Sequence, residues 1–150
     1  MKQKFTILFD LDGTLVDTAP DLMNAHNYVM KKFGYPTKST GEIRNLVGKG
    51  AGAMIGRSIW GQAKKEFSKV NDEEIKKKMV NEFVNFYGKN IVNESTLIEG
   101  VKEFLKWCKE QNISMAVCTN KQEHLSNDLL KKIGIYDFFE YVAGSETFDY

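Results

Sequence analysis

A short apolar run at Phe5–Phe9 is followed at once by two carboxylates, a glycine and a hydroxyl, in the segment Asp10-Leu11-Asp12-Gly13-Thr14. A short run of β-forming residues predicts a buried strand. Carboxylates at the end of such a strand are typical of an open α/β sheet that delivers its carboxyl edge to a ligand crevice. The alternation of a strand would place Asp10 and Asp12 on one face. Asp-Gly also occurs in ordinary solvated turns, but the strand, both aspartates, the glycine and the threonine here occur in register.

The residue types in this segment suit chemistry on phosphate. An ionised aspartate can attack an electrophile, and a second carboxylate nearby can hold a proton for a leaving oxygen. Carboxylate and carbonyl oxygens also suit Mg2+, which keeps waters and binds substrate phosphate. Thr14 could hydrogen-bond a phosphate oxygen or orient Asp12.

The segment resembles motif I of the haloacid dehalogenase-like hydrolases, whose pattern is D-x-D-G-T-[LV]. The resemblance implies that Asp10 is the nucleophile that forms an aspartyl-phosphate. It implies that Asp12 is the general acid and base, and that Asp10 and the backbone carbonyl of Asp12 bind Mg2+. An aspartate two residues after the nucleophile is similar to the phosphatase and phosphomutase branches.

Composition narrows the class of protein. The 150 residues suffice for one domain with a sizeable core, and 42% hydrophobic with 27% charged residues predicts a globular chain. A net charge of +1 favours neither nucleic acid nor an acidic membrane surface as partner. Cys108 and Cys118 are expected in the core, and without a cysteine framework or a leader we expect a cytoplasmic protein.

Residues 17–94 are expected to be entirely helical. Helices are predicted from Pro20 to Gly34, over 39–47, over 53–67, and from a cap at Asn71 to Lys89. Their position after the first strand resembles the C1-type cap of the family, which implies a cap at 17–94 and an α/β core formed by 1–16 and 95–150. The hinges would be the two places where the backbone passes between the core and the cap. We expect His26 to be at the surface or partly packed, and Trp60 in the cap core.

Lys49 lies among three glycines, Gly48, Gly50 and Gly52. From spacing alone this segment is an interhelical turn. It is also similar to the cap loop of the phosphoglycolate phosphatase group, which implies that Lys49 grips the distal carboxylate of the substrate.

A second buried strand over 113–118 ends in Thr119-Asn120. Thr119 resembles the motif II threonine of the family, whose hydroxyl binds a phosphate oxygen, and Asn120 would position substrate or water. The wider Thr-Asn-Lys-x-x-His is similar to the phosphoglycolate phosphatase group. Lys121 and His124 are expected to be structural or at the surface. A third strand is predicted at 141–143.

Two parts of the family pattern are not found before Tyr150: the motif III lysine and the motif IV acidic residues. The family sheet order would leave the first strand at an edge, so we expect either a fragment of a longer protein or self-association through that edge. The leading expectation is a Mg2+-dependent phosphatase acting on a small phosphorylated metabolite, 2-phosphoglycolate above all. The alternatives are a β-phosphoglucomutase-like phosphomutase and a non-catalytic protein that binds phosphate-bearing ligands.

Overall fold

A computed structural model describes residues 5–60 and 69–148. In chain order its elements are β1 (Thr6–Phe9), β2 (Val16–Asp17), α1 (Ala19–Phe33), α2 (Thr40–Arg44), α3 (Gly50–Trp60), α4 (Lys69–Lys89), β3 (Thr96–Leu97), α5 (Val101–Glu110), β4 (Ser114–Cys118), α6 (Glu123–Ile133), a 3-10 turn (Tyr136–Phe138) and β5 (Tyr141–Ala143). None of the helices so described is both long and apolar enough to cross a membrane. The mixed α/β class predicted from the sequence is confirmed.

Three parallel strands form the main sheet in the order β1-β4-β5. Phe9 pairs with Val117, which in turn pairs with Val142, so the strands end at a common edge. Within the described part of the chain β1 is an edge strand, as expected from the family order. It is also less covered than a buried strand would be, because Leu8 is 68% exposed.

A two-residue antiparallel ribbon joins the helical segment to the sheet. Val16 pairs with Leu97, and Asp17 pairs with Thr96. The helices α1 to α4 lie between these two strands in the chain, and α1 and α3 both pack on α4. The backbone entering the helical segment and the backbone leaving it are therefore paired side by side.

Local sequence signals fix several helix ends. Pro20 occupies the first turn of α1, and Gly34 closes that helix with a left-handed φ of 77°. Ser39 and Glu42 form a reciprocal capping box at the start of α2. These ends agree with the sequence prediction, although α2 is shorter than expected.

Two other helices start earlier than predicted. α3 begins at Gly50, so Gly50 and Gly52 lie in its first turn and not in a loop. α4 begins at Lys69, before the predicted cap at Asn71. The predicted end of α3 at Phe67 lies outside the described residues.

The burial of several side chains differs from expectation. His26 is fully buried, because Ser58 and Asn27 satisfy its ring nitrogens. Trp60 is 46% exposed, with the Lys76 ammonium 4.5 Å from its ring centroid. Cys108 is buried as predicted, whereas Cys118 is exposed at the end of β4.

Candidate active site at the carboxyl edge of the sheet

The loop after β1 is anchored by leucines and presents polar residues. Leu11 and Leu15 are buried, and the Leu15 N–H donates to the Leu11 carbonyl at 3.0 Å. Gly13 has a φ of 77°, which other residues rarely adopt, and its N–H donates to the Val16 carbonyl at 2.8 Å. The loop thereby leaves Asp10 and Thr14 exposed and Asp12 half-buried.

Asp10 follows the last residue of β1, and its Oδ1 accepts a hydrogen bond from the Leu11 N–H at 2.7 Å. The parallel pairing of β1 with β4 brings the ends of both strands to the same edge. Thr119, directly after β4, is therefore at the edge that carries Asp10. Thr119 is buried, its N–H donates to the Ala143 carbonyl at 3.0 Å, and its Oγ1 accepts from the Lys121 N–H at 3.2 Å.

Asp12 is held by two side chains that bond the same carboxylate oxygen. The Thr18 hydroxyl donates to Oδ1 at 2.7 Å, and the Lys121 ammonium lies 3.0 Å from it. Thr18 is fully buried and precedes α1, but its side chain caps no helix N–H. Its hydroxyl serves Asp12 instead.

Lys121 is a buried cation between Asp12 and Tyr87. Its ammonium donates to the Tyr87 hydroxyl at 3.0 Å and lies 4.3 Å from the centroid of that ring. Burial lowers the pKa of Lys121, but the charge of Asp12 and the bond to Tyr87 outweigh it, so the pKa lies above its ordinary value. Lys121 is therefore charged at neutral pH.

A cavity of about 310 Å³ opens beside Asp12, between the sheet edge and the helices. Lys49, Asn120 and Lys121 contribute polar walls, and residues of α4 such as Phe83 and Val84 contribute apolar ones. The Asn120 amide donates to the Gly48 carbonyl at 2.7 Å and so ties the glycine loop to the sheet. The first turn of α3 also lines this cavity, which adds the positive end of a helix dipole to the charge of Lys49.

The structure thus brings Asp12, Lys49 and Asn120 together around one cavity. Within residues 5–60 and 69–148, Asp10, Thr14 and Thr119 do not line it. Asp12 also borders a second cavity of about 440 Å³, whose walls include Arg44 and Asp17, an ion pair at 2.6 Å. Asp12 therefore lies between two cavities, and Asp10 precedes it by two residues.

The donor set suits a hard cation that keeps most of its waters. In the part of the chain described here, no three His, Cys, Asp or Glu side chains lie close enough together to hold a metal ion. The Asp10 carboxylate and the Asp12 backbone carbonyl would supply two oxygen ligands, and Mg2+ is commonly bound by one or two carboxylates with waters and substrate phosphate. These two residues fit Mg2+ on that basis.

The sequence interpretation did not assign Thr18 or Tyr87 to this site, and it expected Lys121 to be structural or at the surface, whereas Lys121 is buried beside Asp12. Lys121 follows Thr119-Asn120 directly, and that adjacency was the available signal for it. Tyr87 lies on an amphipathic stretch where an aromatic residue is ordinary core, so no pattern distinguishes it. His124 is exposed, as expected.

Comparison with known proteins gives a consistent result. A model of the haloacid dehalogenase-like hydrolase family matches residues 7–149. A phosphoglycolate phosphatase of Caulobacter vibrioides is 38% identical over 141 residues, which cover 94% of this chain and 57% of that protein.

Solved structures agree with the fold. A Haemophilus somnus protein described as a predicted phosphoglycolate phosphatase superposes with a TM-score of 0.86 at 33% identity, over 100% of this chain and 66% of that one. A β-phosphoglucomutase of Clostridium difficile, at 24% identity and a TM-score of 0.76 over 99% of this chain and 65% of that one, shares the fold. The chain spans less than two thirds of the length of these proteins. On the family match, which extends over nearly the whole sequence, the chain belongs to the haloacid dehalogenase-like hydrolases.

Proposed function

We propose that this chain hydrolyses small phosphomonoesters, with Asp10 as the nucleophile and Asp12 as the general acid and base. The observation that carries the proposal is the placement of Asp10 and Asp12. Asp10 is exposed at the carboxyl end of β1, and Asp12, two residues on, is half-buried beside a cavity that also holds Lys49 and Asn120. Membership of the hydrolase family and the name of the Caulobacter relative support it.

In the first step an Asp10 oxygen attacks phosphorus and the bond from phosphorus to the ester oxygen breaks. The bonding pair goes to that oxygen, which takes a proton from Asp12. Because Thr18 and Lys121 both bond Oδ1 of Asp12, we assign the proton to Oδ2. In the second step Asp12 takes a proton from water as that water attacks phosphorus, and the bond to Asp10 breaks to release phosphate.

Mg2+ held by the Asp10 carboxylate and the Asp12 carbonyl would supply positive charge against the phosphoryl oxygens. The hydroxyls of Thr14 and Thr119 are the proposed hydrogen-bond donors to those oxygens. Thr119 lies at the same sheet edge as Asp10, and Thr14 is exposed on the Asp10 loop.

For the substrate we propose 2-phosphoglycolate, whose distal carboxylate would lie against Lys49. Lys49 is the residue immediately before α3, and the first turn of that helix lines the same cavity. A cation and a helix N-terminus together favour an anion. Asn120 fixes the loop on which Lys49 lies, through its bond to Gly48.

We also propose that residues 17–94 form a cap that moves on the β2–β3 ribbon, while 1–16 and 95–150 form the core. The ribbon carries both backbone crossings, and the cavity lies between α3, α4 and the sheet edge. Movement at the ribbon would open and close that cavity.

The test measures inorganic phosphate released from 2-phosphoglycolate and from ethyl phosphate, which lacks the carboxylate, with and without Mg2+. We expect Mg2+-dependent release from both esters. In Lys49→Ala the KM for 2-phosphoglycolate should rise roughly tenfold, with little change for ethyl phosphate. Lys38→Ala, which removes a cation that does not line the cavity, is the control. Conversion of β-glucose 1-phosphate into glucose 6-phosphate, without phosphate release from either ester, would replace this proposal with a phosphomutase.

A further inference from the structure

In the two steps proposed above the charged end of Lys121 neither attacks phosphorus nor transfers a proton, yet it is buried. Its side chain is 6% exposed, and an ammonium removed from water needs compensating partners. The partners come from separate parts of the chain: the Asp12 carboxylate from the loop after β1, and the Tyr87 hydroxyl from α4.

Tyr87 is a rigid support for this cation. It is 1% exposed, and its ring is stacked on Phe83, with centroids 6.0 Å apart. Burial raises the pKa of Tyr87, so the hydroxyl stays neutral and accepts the hydrogen bond from Lys121. The ring face adds a second favourable contact with the ammonium.

Asp12 is consequently fixed from two sides through one oxygen. Thr18, at the start of α1, and Lys121, supported by α4, both bond Oδ1. The rotation of the carboxylate, and with it the direction of Oδ2, depends on where these groups lie. Asp12, Tyr87 and Lys121 all line the 310 Å³ cavity, so this arrangement borders the space proposed for the substrate.

We infer that Lys121 and Tyr87 are positioning residues for Asp12, through which helix α4 sets the orientation of the carboxylate. The inference rests on the proposed function, since Asp12 is assigned there as the general acid and base. It adds that the orientation of Asp12 follows the placement of α4 over the sheet edge. A misplacement of a reacting group by about 1 Å can cost roughly 10²-fold in rate.

The test compares two variants of the whole chain with two control variants. Tyr87→Phe removes the hydroxyl and keeps the ring, and Lys121→Met removes the charge and keeps much of the length. Tyr28→Phe removes a hydroxyl from α1 and keeps the Tyr28 ring, which is stacked on Phe86. Lys132→Met removes an exposed cation that pairs with Asp128 on α6. The last two are controls for the chemical change alone.

The first readout is the 13Cγ resonance of Asp12 in the free protein, assigned by its loss in Asp12→Asn. We expect this resonance to move in Tyr87→Phe and Lys121→Met and to stay in place in both controls. An unmoved resonance in Tyr87→Phe would overturn the inference. If Lys121→Met fails to fold, Tyr87→Phe decides the question, since it keeps the packing of the ring.

The second readout separates kcat from KM in phosphate release. In Tyr87→Phe we expect kcat to fall roughly tenfold, and in Lys121→Met about 10²-fold, with KM nearly constant. Lys121→Arg should recover part of the loss. A rise in KM at constant kcat would contradict the inference and make Lys121 a substrate contact. If the wild-type chain releases no phosphate, the proposed function fails, and the 13Cγ readout still decides whether α4 positions Asp12.

Discussion

The carboxylate of Asp21, in the first turn of α1, accepts two hydrogen bonds from Ser95, one from its N–H at 2.8 Å and one from its hydroxyl at 2.6 Å. The N–H groups of Asn93 and Glu94 each donate to the same carboxylate at 3.0 Å. One buried side chain thus ties the chain as it enters the helical segment to the chain as it leaves.

Asp21→Ala should lower the free energy of unfolding by about 3 kcal/mol, because it leaves buried donors around Ser95 without their acceptor. Urea denaturation followed by circular dichroism measures the loss. Asp128→Ala removes an exposed carboxylate whose partner is Lys132 on the same helix, and should cost about 0.5 kcal/mol. Equal losses in the two variants would contradict the role assigned to Asp21.

Gly144 lies where the chain leaves β5 and passes against the start of α6. A Cβ at this position would overlap the Glu123 nitrogen and would lie 2.7 Å from the Lys121 carbonyl oxygen, both backbone atoms. Gly144→Ala should therefore destabilise the protein by about 3 kcal/mol. Gly41→Ala, in α2 with no atom within 4 Å of the added carbon, should be neutral or stabilise by up to about 1 kcal/mol. A Gly144→Ala protein with the wild-type melting temperature would refute this packing.

Acid should destabilise the helical segment through His26. Its Nδ1 bonds the Asn27 oxygen at 3.0 Å and its Nε2 bonds the Ser58 hydroxyl at 2.8 Å. Burial lowers the pKa of His26 below 6.5, so the unfolded chain binds a proton more readily than the folded one. The free energy of unfolding should then fall as pH drops below 6.5, by up to about 1.4 kcal/mol per pH unit from this group.

Urea midpoints taken between about pH 7.5 and 5.5 measure that slope. His26→Gln removes the titrating ring, and its slope should be shallower than that of the wild type over this range. Parallel slopes in the two proteins would show that His26 does not carry the effect.

Self-association should follow from the exposed side of β1. Leu8 is 68% exposed, and the register places it on the same sheet face as Tyr141, which is 53% exposed. Leu8→Lys should weaken association, because charge on an edge strand opposes further pairing. Sedimentation velocity over a range of concentrations measures it, with Trp107→Lys on α5 as the control for an added charge elsewhere. A wild-type chain that sediments as a monomer throughout would end this expectation.

Much of the fold is determined by local sequence signals. The strand at Thr6–Phe9, the first turn at Pro20, the stop at Gly34 and the end of β4 before Thr119 all follow from neighbouring residues. The β2–β3 ribbon has two residues a strand, too short for any periodic pattern. Its pairing arises from residues about 80 positions apart in the chain.

The residues of the site also fall into two groups: those that local sequence predicts and those that only packing brings together. Asp10, Asp12 and Thr119 are marked by the strands that they follow, so the sequence predicts their common edge. The environment of Asp12 depends on Lys121 and Tyr87, which are 34 residues apart and meet only after the helices pack. The full burial of His26 likewise does not follow from its neighbours in the sequence, since its partner Ser58 is 32 residues away.

The most direct test of the central claim compares phosphate release by the wild-type chain and by Asp10→Asn, in Mg2+ with 2-phosphoglycolate as substrate. Asparagine is close in size to the exposed Asp10 side chain, so circular dichroism spectra of the two proteins should match. We predict steady release by the wild type and a rate lower by at least about 10³-fold in the variant, because the amide cannot form the phosphoryl bond. An Asp10→Asn protein that releases phosphate at the wild-type rate would contradict the account.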